Sequence, residues 1–218
     1  MPHYVPVMLN LEGRRCVIVG GGTVAARKAA ALAEAGAAVT VISPSVKAWL
    51  EDGVREGSID WLAREYREGD LKGAFLVFAA TDSRQVNAGI VKEAETLGIP
   101  VNDTADGARG SFITPSVVRR GKLVIGVSTS GAGPAAAREL CREIDRRFGD
   151  TYERYVEFLS LARTRVKEQV EDKEQRKRLL ARLGELDILP SIRQGGFTPW
   201  SEAEIAAWIE EEQRRYRE

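Results

Sequence analysis

The sequence predicts an α/β fold in which a parallel sheet comes first and a helical region comes last. Three observations support this prediction. Short apolar runs alternate with helix-forming stretches in the first half, one of these runs ends in a glycine triplet, and the C-terminal part is charged with helical spacing. Strand and helix alternation is typical of parallel sheets that are covered on both faces.

The glycine triplet 20–22 follows an apolar run, and Ala25 completes the G-x-G-x-x-A spacing of dinucleotide-binding turns. The helix predicted over 24–34 directs its N-terminal amides at a pyrophosphate. The next apolar run, 38–42, completes a βαβ unit of the Rossmann type. A glycine turn can also be purely structural, but the βαβ context favours the nucleotide interpretation. The residues predicted to hold the cofactor here are Gly20, Gly21, Gly22, Thr23 and Val24.

The remaining elements of the predicted sheet continue the alternation. Strand 75–80 is apolar throughout, which is typical of an interior strand. Ligands of open parallel sheets bind at the carboxyl ends of the strands, so the residues that follow them are expected to share one crevice. The other predicted strands are 59–62 and 99–102, and the other helices are 47–57 and 83–97. The predicted crevice residues beyond the glycines are Ser43, Thr81, Asp82, Asn102 and Asp103, all but Asp103 as cofactor ligands.

One element of the dinucleotide fingerprint is missing from this sequence. An acidic residue at the end of the second strand binds the adenosine ribose of NAD, whereas this strand ends in Ser43, Pro44 and Ser45. No arginine stands there to accommodate a 2′-phosphate either. We predict NAD as the cofactor, and the choice over NADP stays open at this stage.

Composition narrows the class of protein. In 218 residues, Lys and Arg balance Asp and Glu at 32 each, so nucleic acid is not a predicted partner. No apolar run reaches the length of a membrane span, and no membrane partner is predicted. Only Cys16 and Cys141 occur, which indicates a reducing compartment and predicts a cytoplasmic protein. His3 is the only histidine, so neither a histidine-rich metal site nor a Ser/His/Asp triad is expected.

The second half departs from the strand and helix alternation. Runs 111–115 and 122–128 predict two strands joined through 119–121, with a domain boundary near residue 113. The loop 129–134 precedes a helix predicted over 135–148, whose N-terminus is a second candidate anion site.

Two further helical stretches, 151–183 and 201–216, complete the chain, and the second begins with a capping box from Ser201 to Glu204. Both look too long and too charged for a core. We therefore expect them to cover the substrate cleft or a partner subunit.

The order of these motifs resembles the precorrin-2 dehydrogenase/sirohydrochlorin ferrochelatase family, the siroheme-synthase enzymes that oxidise a tetrapyrrole and in some members metallate it. The resemblance covers residues 4–147 well and the remainder only in helical character. The matching strings, in order, are PVMLNL (6–11), VIVGGGTVAARK (17–28), AATD (79–82), VN (86–87), VN (101–102), SFITPS (111–116) and VSTSG (127–131) followed by Pro134.

The resemblance implies three regions and one reaction. The regions are an NAD-binding Rossmann domain (1–113), a small α+β dimerisation and substrate domain (114–148) and a helical C-terminal domain (149–218). The implied protein is a homodimer that transfers a hydride from precorrin-2 to NAD, giving sirohydrochlorin for siroheme biosynthesis. Iron insertion into sirohydrochlorin is the alternative activity, and a non-catalytic NAD-sensing module is the alternative class.

A carboxylate shortly after the fifth strand is the family's candidate base. Here Ala105 stands at the matching position, so Asp106 is the first substitute and Asp103 the second. Asp106 precedes a glycine and could equally form an ordinary turn. The substrate carries many carboxylates, which arginine binds in bidentate fashion and hydroxyls bind as donors. The predicted substrate-binding residues are Arg109, Ser128, Thr129, Ser130 and Arg138.

Overall fold

The computed structural model describes residues 4–130 and 133–215. By the density of its contacts the chain divides into two compact units, Met1–Thr114 and Pro115–Glu218. Among the described residues, no helix has both the length and the apolar character required to cross a bilayer.

The first unit is a five-stranded parallel sheet with helices between its strands. The strand order β3-β2-β1-β4-β5 places β1 in the centre and β4 in the interior, as the apolar run predicted. The strands are β1 Arg15–Val19, β2 Ala38–Ile42, β3 Ile59–Leu62, β4 Leu76–Ala79 and β5 Val101–Asp103. The helices are α1 Thr23–Glu34, α2 Ala48–Arg55 and α3 Arg84–Thr96.

Alternate residues of β1 explain why this strand is apolar throughout. Cys16 and Ile18 belong to one buried cluster, and Val17 and Val19 belong to another on the opposite face. Both faces are covered, because period-two geometry sends successive side chains to opposite sides of the sheet. Burial on both faces therefore holds β1 in the centre of the sheet. The glycine turn begins directly after its last residue.

The predicted strand over 111–115 is wrong. The first strand of the second unit is β6 Ser116–Arg120, which pairs antiparallel with β7 Leu123–Val127, so 119–120 lie within a strand and not in the turn. Residues 111–112 instead fold back on β5. The N–H and Oγ of Ser111 contact Val101, and the carbonyl of Phe112 accepts a hydrogen bond from the side-chain amide of Asn102. The backbone groups of Ser111 and Phe112 are therefore unavailable for pairing with another strand.

The C-terminal helices form a core of their own, which corrects the expectation that they are too charged to do so. The predicted helix over 151–183 is two helices, because Asp172 accepts a hydrogen bond from the N–H of Gln175 and starts a new one. Phe158, Leu179 and Ile205 from three different helices are buried together. The helices of this unit are α4 Pro134–Arg147, α5 Asp150–Gln169, α6 Lys173–Glu185, α7 Ile188–Arg193 and α8 Glu202–Arg215.

The start of the last helix confirms the predicted capping box. The N–H of Ser201 donates to the Glu204 carboxylate at 2.7 Å, and the N–H of Glu204 donates to the Ser201 hydroxyl at 3.3 Å. The hydrogen bonds from Ser201 hold the pKa of Glu204 below its usual value.

Ile205→Ala tests this C-terminal core. Ile205 is completely buried, so we expect the variant to lower the free energy of unfolding by about 2–5 kcal/mol through lost burial and a residual cavity. Urea denaturation measures the change. Leu140→Ala, at a leucine that is 45% exposed, serves as the control and is expected to have a much smaller effect. Equal effects from the two variants would contradict the assigned core.

Candidate cofactor-binding site

The glycine triplet after β1 folds into a turn that requires glycine at its first two positions. Gly20 has a φ of 124°, a conformation that residues with a side chain rarely adopt. A Cβ at Gly20 would lie 2.2 Å from the carbonyl oxygen of Ala80, and one at Gly21 would lie 1.9 Å from that of Ser45. The turn is therefore packed tightly against the chain that follows β4 and the chain that follows β2.

Gly22 differs from its two neighbours because no protein atom lies where its side chain would be. An added Cβ meets nothing within 4 Å, and the backbone is extended, with φ of −80° and ψ of −174°. The protein itself therefore does not require glycine here, whereas a ligand approaching the backbone would. Gly22 is also the N-cap of α1, where no side chain caps the helix. The amide N–H groups of the first turn remain available to an anion.

A crevice of about 670 Å³ opens at this edge of the sheet, a size typical of cofactor sites. It brings together Gly20, Gly21, Gly22, Ser43, Thr81 and Asp82 of the predicted cofactor residues. Thr23 and Val24 start α1 directly beside it and are both exposed. The predicted meeting of loops is therefore correct for the ends of β1, β2 and β4.

The end of β5 does not take part in the crevice, which corrects the expectation for Asn102 and Asp103. Both side chains are buried. Asn102 donates to the carbonyl of Phe112 at 2.9 Å, and Asp103 accepts the N–H groups of Ala105 and Asp106 at 2.9 and 3.3 Å. These residues fix the loop that follows β5.

Residues of the crevice wall are held by hydrogen bonds within their own loops and to β3 and α3. The Ser43 hydroxyl donates to the carbonyl of Ser45 at 2.7 Å, and the Trp61 indole donates to the carbonyl of Ser43 at 2.9 Å. The Thr81 hydroxyl lies 2.6 Å from the side-chain oxygen of Asn87, which is fully buried on α3. Asp82 is exposed and lines the crevice.

Asp106 and Arg109, the predicted base and substrate ligand of this unit, form an exposed pair. Their side chains are 48% and 47% exposed, and the Arg109 Nε lies 3.2 Å from the Asp106 carboxylate. Asp106 also accepts the N–H of Ala108 at 3.1 Å, as expected for a turn. Neither residue lines the crevice described above.

The remaining predicted substrate residues belong to the second unit. Ser128, Ser130 and Arg138 are exposed, and the Ser128 hydroxyl accepts the N–H of Ser130 at 3.2 Å. Thr129 donates to the carbonyl of Gly133 at 3.3 Å. Residues 131 and 132 of this loop lie outside the described part of the chain. The loop leads into α4, whose backbone begins at Pro134, one residue before the predicted start.

Among the ionisable residues that line the described crevice, the sequence analysis missed Lys47, Glu65 and Tyr66. Lys47 follows β2, and its backbone N–H donates to the carbonyl of Gly21 at 3.1 Å, which places it beside the glycine turn. Glu65 and Tyr66 lie on the loop after β3. No motif spacing connects these loops to the glycine triplet, so only the fold reveals the contact.

The loop that carries Glu65 and Tyr66 is braced at both ends. Arg64 and Asp70 form a bidentate pair at 2.8 and 2.7 Å, and hydrogen bonding from Arg64 holds the pKa of Asp70 below its usual value. The Tyr66 hydroxyl donates to Glu93 of α3. Burial first, and then this contact, raise the pKa of Tyr66 far above its ordinary range. The loop is therefore preorganised.

Lys28 on α1 is a cation of this unit whose pKa is shifted. Burial, reinforced by the nearby charge of Arg27, lowers the pKa of Lys28 to about 8. Its ammonium group donates to the Thr114 hydroxyl and lies 5.5 Å from the centre of the Phe78 ring. Lys28 does not line the crevice, and nothing described here gives it a ligand.

The residues present fit a dinucleotide. The open position at Gly22 leaves room for a pyrophosphate against the backbone, and the uncapped first turn of α1 supplies donors and a partial positive charge. Within the described residues, no group of three or more His, Cys, Asp or Glu side chains is arranged to hold a metal ion.

Comparison with known proteins supports this assignment. The family model described as "Putative NAD(P)-binding" matches residues 7–116. Siroheme synthase of Azotobacter vinelandii is 40% identical over 80% of this chain and 38% of its own length, and that of Pseudomonas aeruginosa is 36% identical over 88% and 41%. The chain thus spans about two fifths of these relatives. The solved structure of SirC, a precorrin-2 dehydrogenase, superposes with a TM-score of 0.74 at 25% identity, over 97% of this chain and all of that one.

The parallel sheet, the glycine turn and the uncapped helix define a dinucleotide-binding protein of the Rossmann class, with NAD as its cofactor. The sequence motifs and the comparisons indicate the same family within this class. The chain belongs to the precorrin-2 dehydrogenase/sirohydrochlorin ferrochelatase family.

Proposed function

We propose that this protein catalyses the NAD-dependent dehydrogenation of precorrin-2 to sirohydrochlorin, a step of siroheme biosynthesis. The observation that carries the proposal is the open crevice at Gly22, in a chain that superposes along nearly its whole length on a precorrin-2 dehydrogenase. The names of the siroheme synthase relatives support the same pathway.

The cofactor, when bound, accepts a hydride from a C–H bond of the macrocycle. The protein has to place the nicotinamide and remove the proton that the substrate also loses. For binding we assign the turn 20–22, the first amides of α1, at Thr23 and Val24, and the crevice residues Ser43, Thr81 and Asp82. Lys47 lines the same crevice with its backbone beside the turn, and we propose that its positive charge attracts the diphosphate.

For proton removal we propose Asp106 in preference to Asp103. The Asp106 carboxylate is about half exposed and can meet a substrate, whereas Asp103 is 2% exposed and already accepts two backbone N–H groups. Arg109, whose guanidinium contacts Asp106, is proposed to attract the substrate's carboxylates. In the second unit we propose that Ser128, Thr129, Ser130 and Arg138 bind carboxylates of the macrocycle.

The domain assignments beyond the two compact units also remain proposals. We propose that residues 114–148 serve dimerisation and substrate binding, that 149–218 form a separate helical domain, and that the protein is a homodimer. The cytoplasmic location predicted from the cysteines stays a prediction. Cys16 and Cys141 are both free.

An anaerobic assay tests the proposed reaction. Purified full-length protein is mixed with precorrin-2 and NAD⁺, and absorbance follows sirohydrochlorin and NADH together. We expect the two products to appear in equal amounts, with none formed when either reactant is omitted. NAD⁺ binding without oxidation would contradict the proposal and favour the sensing module instead. Ferrous ion added after oxidation tests the second activity, since a ferrochelatase accelerates metal uptake above the rate without protein.

A further inference from the structure

The adenosine end of the crevice lacks the acidic residue that dinucleotide-binding folds place after the second strand. β2 ends at Ile42, and Ser43, Pro44 and Ser45 carry no charge. The Ser43 hydroxyl donates to Ser45, and the Ser43 carbonyl accepts from Trp61, so these polar groups are already used by the protein. An acidic ribose ligand must therefore come from another loop.

Two acidic residues line the described part of the crevice, Glu65 and Asp82. In the order β3-β2-β1-β4-β5, the loop of Glu65 follows β3, next to β2, whereas Asp82 follows β4 on the other side of β1. The carboxyl ends of parallel strands meet at one edge of the sheet. Glu65 therefore lies on the side of β2, where the fold places adenosine, and Asp82 lies on the opposite side.

The Glu65 side chain is well placed to bind a ligand. The Arg64–Asp70 pair and the contact between Tyr66 and Glu93 hold the loop on both sides of it. The Glu65 carboxylate itself is exposed and makes no hydrogen bond or ion pair with the described residues. A rigid loop with one uncommitted carboxylate is suited to binding a diol without reorganisation.

Lys47 is a cationic residue that lines the same crevice, and we do not assign the ribose to it. Its backbone N–H donates to the carbonyl of Gly21, so the residue lies beside the glycine turn, where we assign the diphosphate. A 2′-phosphate on the ribose would instead meet the carboxylate of Glu65, and two negative charges in one crevice repel each other.

We propose that Glu65 supplies the carboxylate that binds the adenosine ribose, and that it thereby selects the cofactor without a 2′-phosphate. The inference rests on the proposed function, because it assumes that a nicotinamide dinucleotide occupies the crevice. It assigns cofactor selection to the loop after β3. The dinucleotide fingerprint instead expects the acidic residue after the second strand.

Calorimetry with NAD⁺ and NADP⁺ on the full chain tests this role. Wild type is expected to bind NAD⁺ at least about tenfold more tightly than NADP⁺, which corresponds to one charged hydrogen bond gained or lost. Glu65→Gln is expected to reduce that ratio at least about fivefold, because the amide neither accepts as strongly nor repels phosphate. Glu68→Gln, at an exposed glutamate of the same loop outside the crevice, is the matched control and is expected to keep the ratio.

An unchanged ratio in Glu65→Gln, or wild-type affinities that are equal for the two cofactors, would overturn the inference and leave the proposed function standing. An equal change in Glu68→Gln would also overturn it, because the change in ratio would then come from the overall charge of the loop and not from a contact made by Glu65. Failure of wild type to bind either nucleotide would instead contradict the proposed function itself.

Discussion

Gly22→Val is expected to fold normally and to bind NAD⁺ at least about 100-fold more weakly. No protein atom lies within 4 Å of a Cβ at this position, and its backbone angles suit any residue, so the fold has room for valine. The branched side chain would fill the space against the turn where a pyrophosphate approaches the backbone. Calorimetry measures the affinity, and urea denaturation shows that stability falls by no more than about 1 kcal/mol, the usual scale of a helix N-cap change.

Gly149→Val provides a matched control for this variant. Gly149 is also a helix N-cap, with φ of −74° and ψ of −173°, and an added Cβ there also meets nothing within 4 Å. It starts α5 in the second unit, so it does not line the crevice. We expect unchanged NAD⁺ affinity from Gly149→Val. Wild-type affinity in Gly22→Val would show that no pyrophosphate approaches this turn.

Asp106→Asn is expected to lower kcat at least about 100-fold, the scale of a lost general base, and to leave the Kd for NAD⁺ unchanged. An amide of the same shape cannot accept the proton that the macrocycle loses. The side chain lies outside the cofactor crevice, which is why binding of NAD⁺ should persist. Anaerobic turnover measures kcat, and calorimetry measures the Kd.

Asp103→Asn distinguishes the two candidate carboxylates. Its side-chain oxygen can still accept the N–H groups of Ala105 and Asp106, so the loop should keep its shape and the rate should stay close to wild type. Asp60→Asn, at an exposed carboxylate on β3, controls for charge alone. A loss of rate in Asp103→Asn only would transfer the base to that residue. Wild-type rates in both variants would remove the base from this loop.

Much of the first unit could be predicted because its signals are local. The run 16–19 is apolar at every position since β1 is covered on both faces, and the glycines that follow have a steric need visible at Gly20 and Gly21. The crevice residues that directly follow β1, β2 and β4 could be placed for the same reason. A strand end and its next residue are neighbours in sequence as well as in space.

The errors arose where distant contacts decide the structure. Run 111–115 has the composition of a strand, yet the bonds of Ser111 and Phe112 to β5 use the groups that a ladder requires. Asn102 has the position of a crevice residue, but Phe112 takes its side-chain amide. Glu65 could not be assigned from spacing, since its relation to the crevice depends on β3 lying beside β2.

The separate interior of helices α5 to α8 has a consequence for how the protein can change over generations. Substitutions that repack Phe158, Leu179 or Ile205 can be compensated within their own cluster, which contains no residue of the sheet. The helical region can therefore drift in sequence while the glycine turn stays constant.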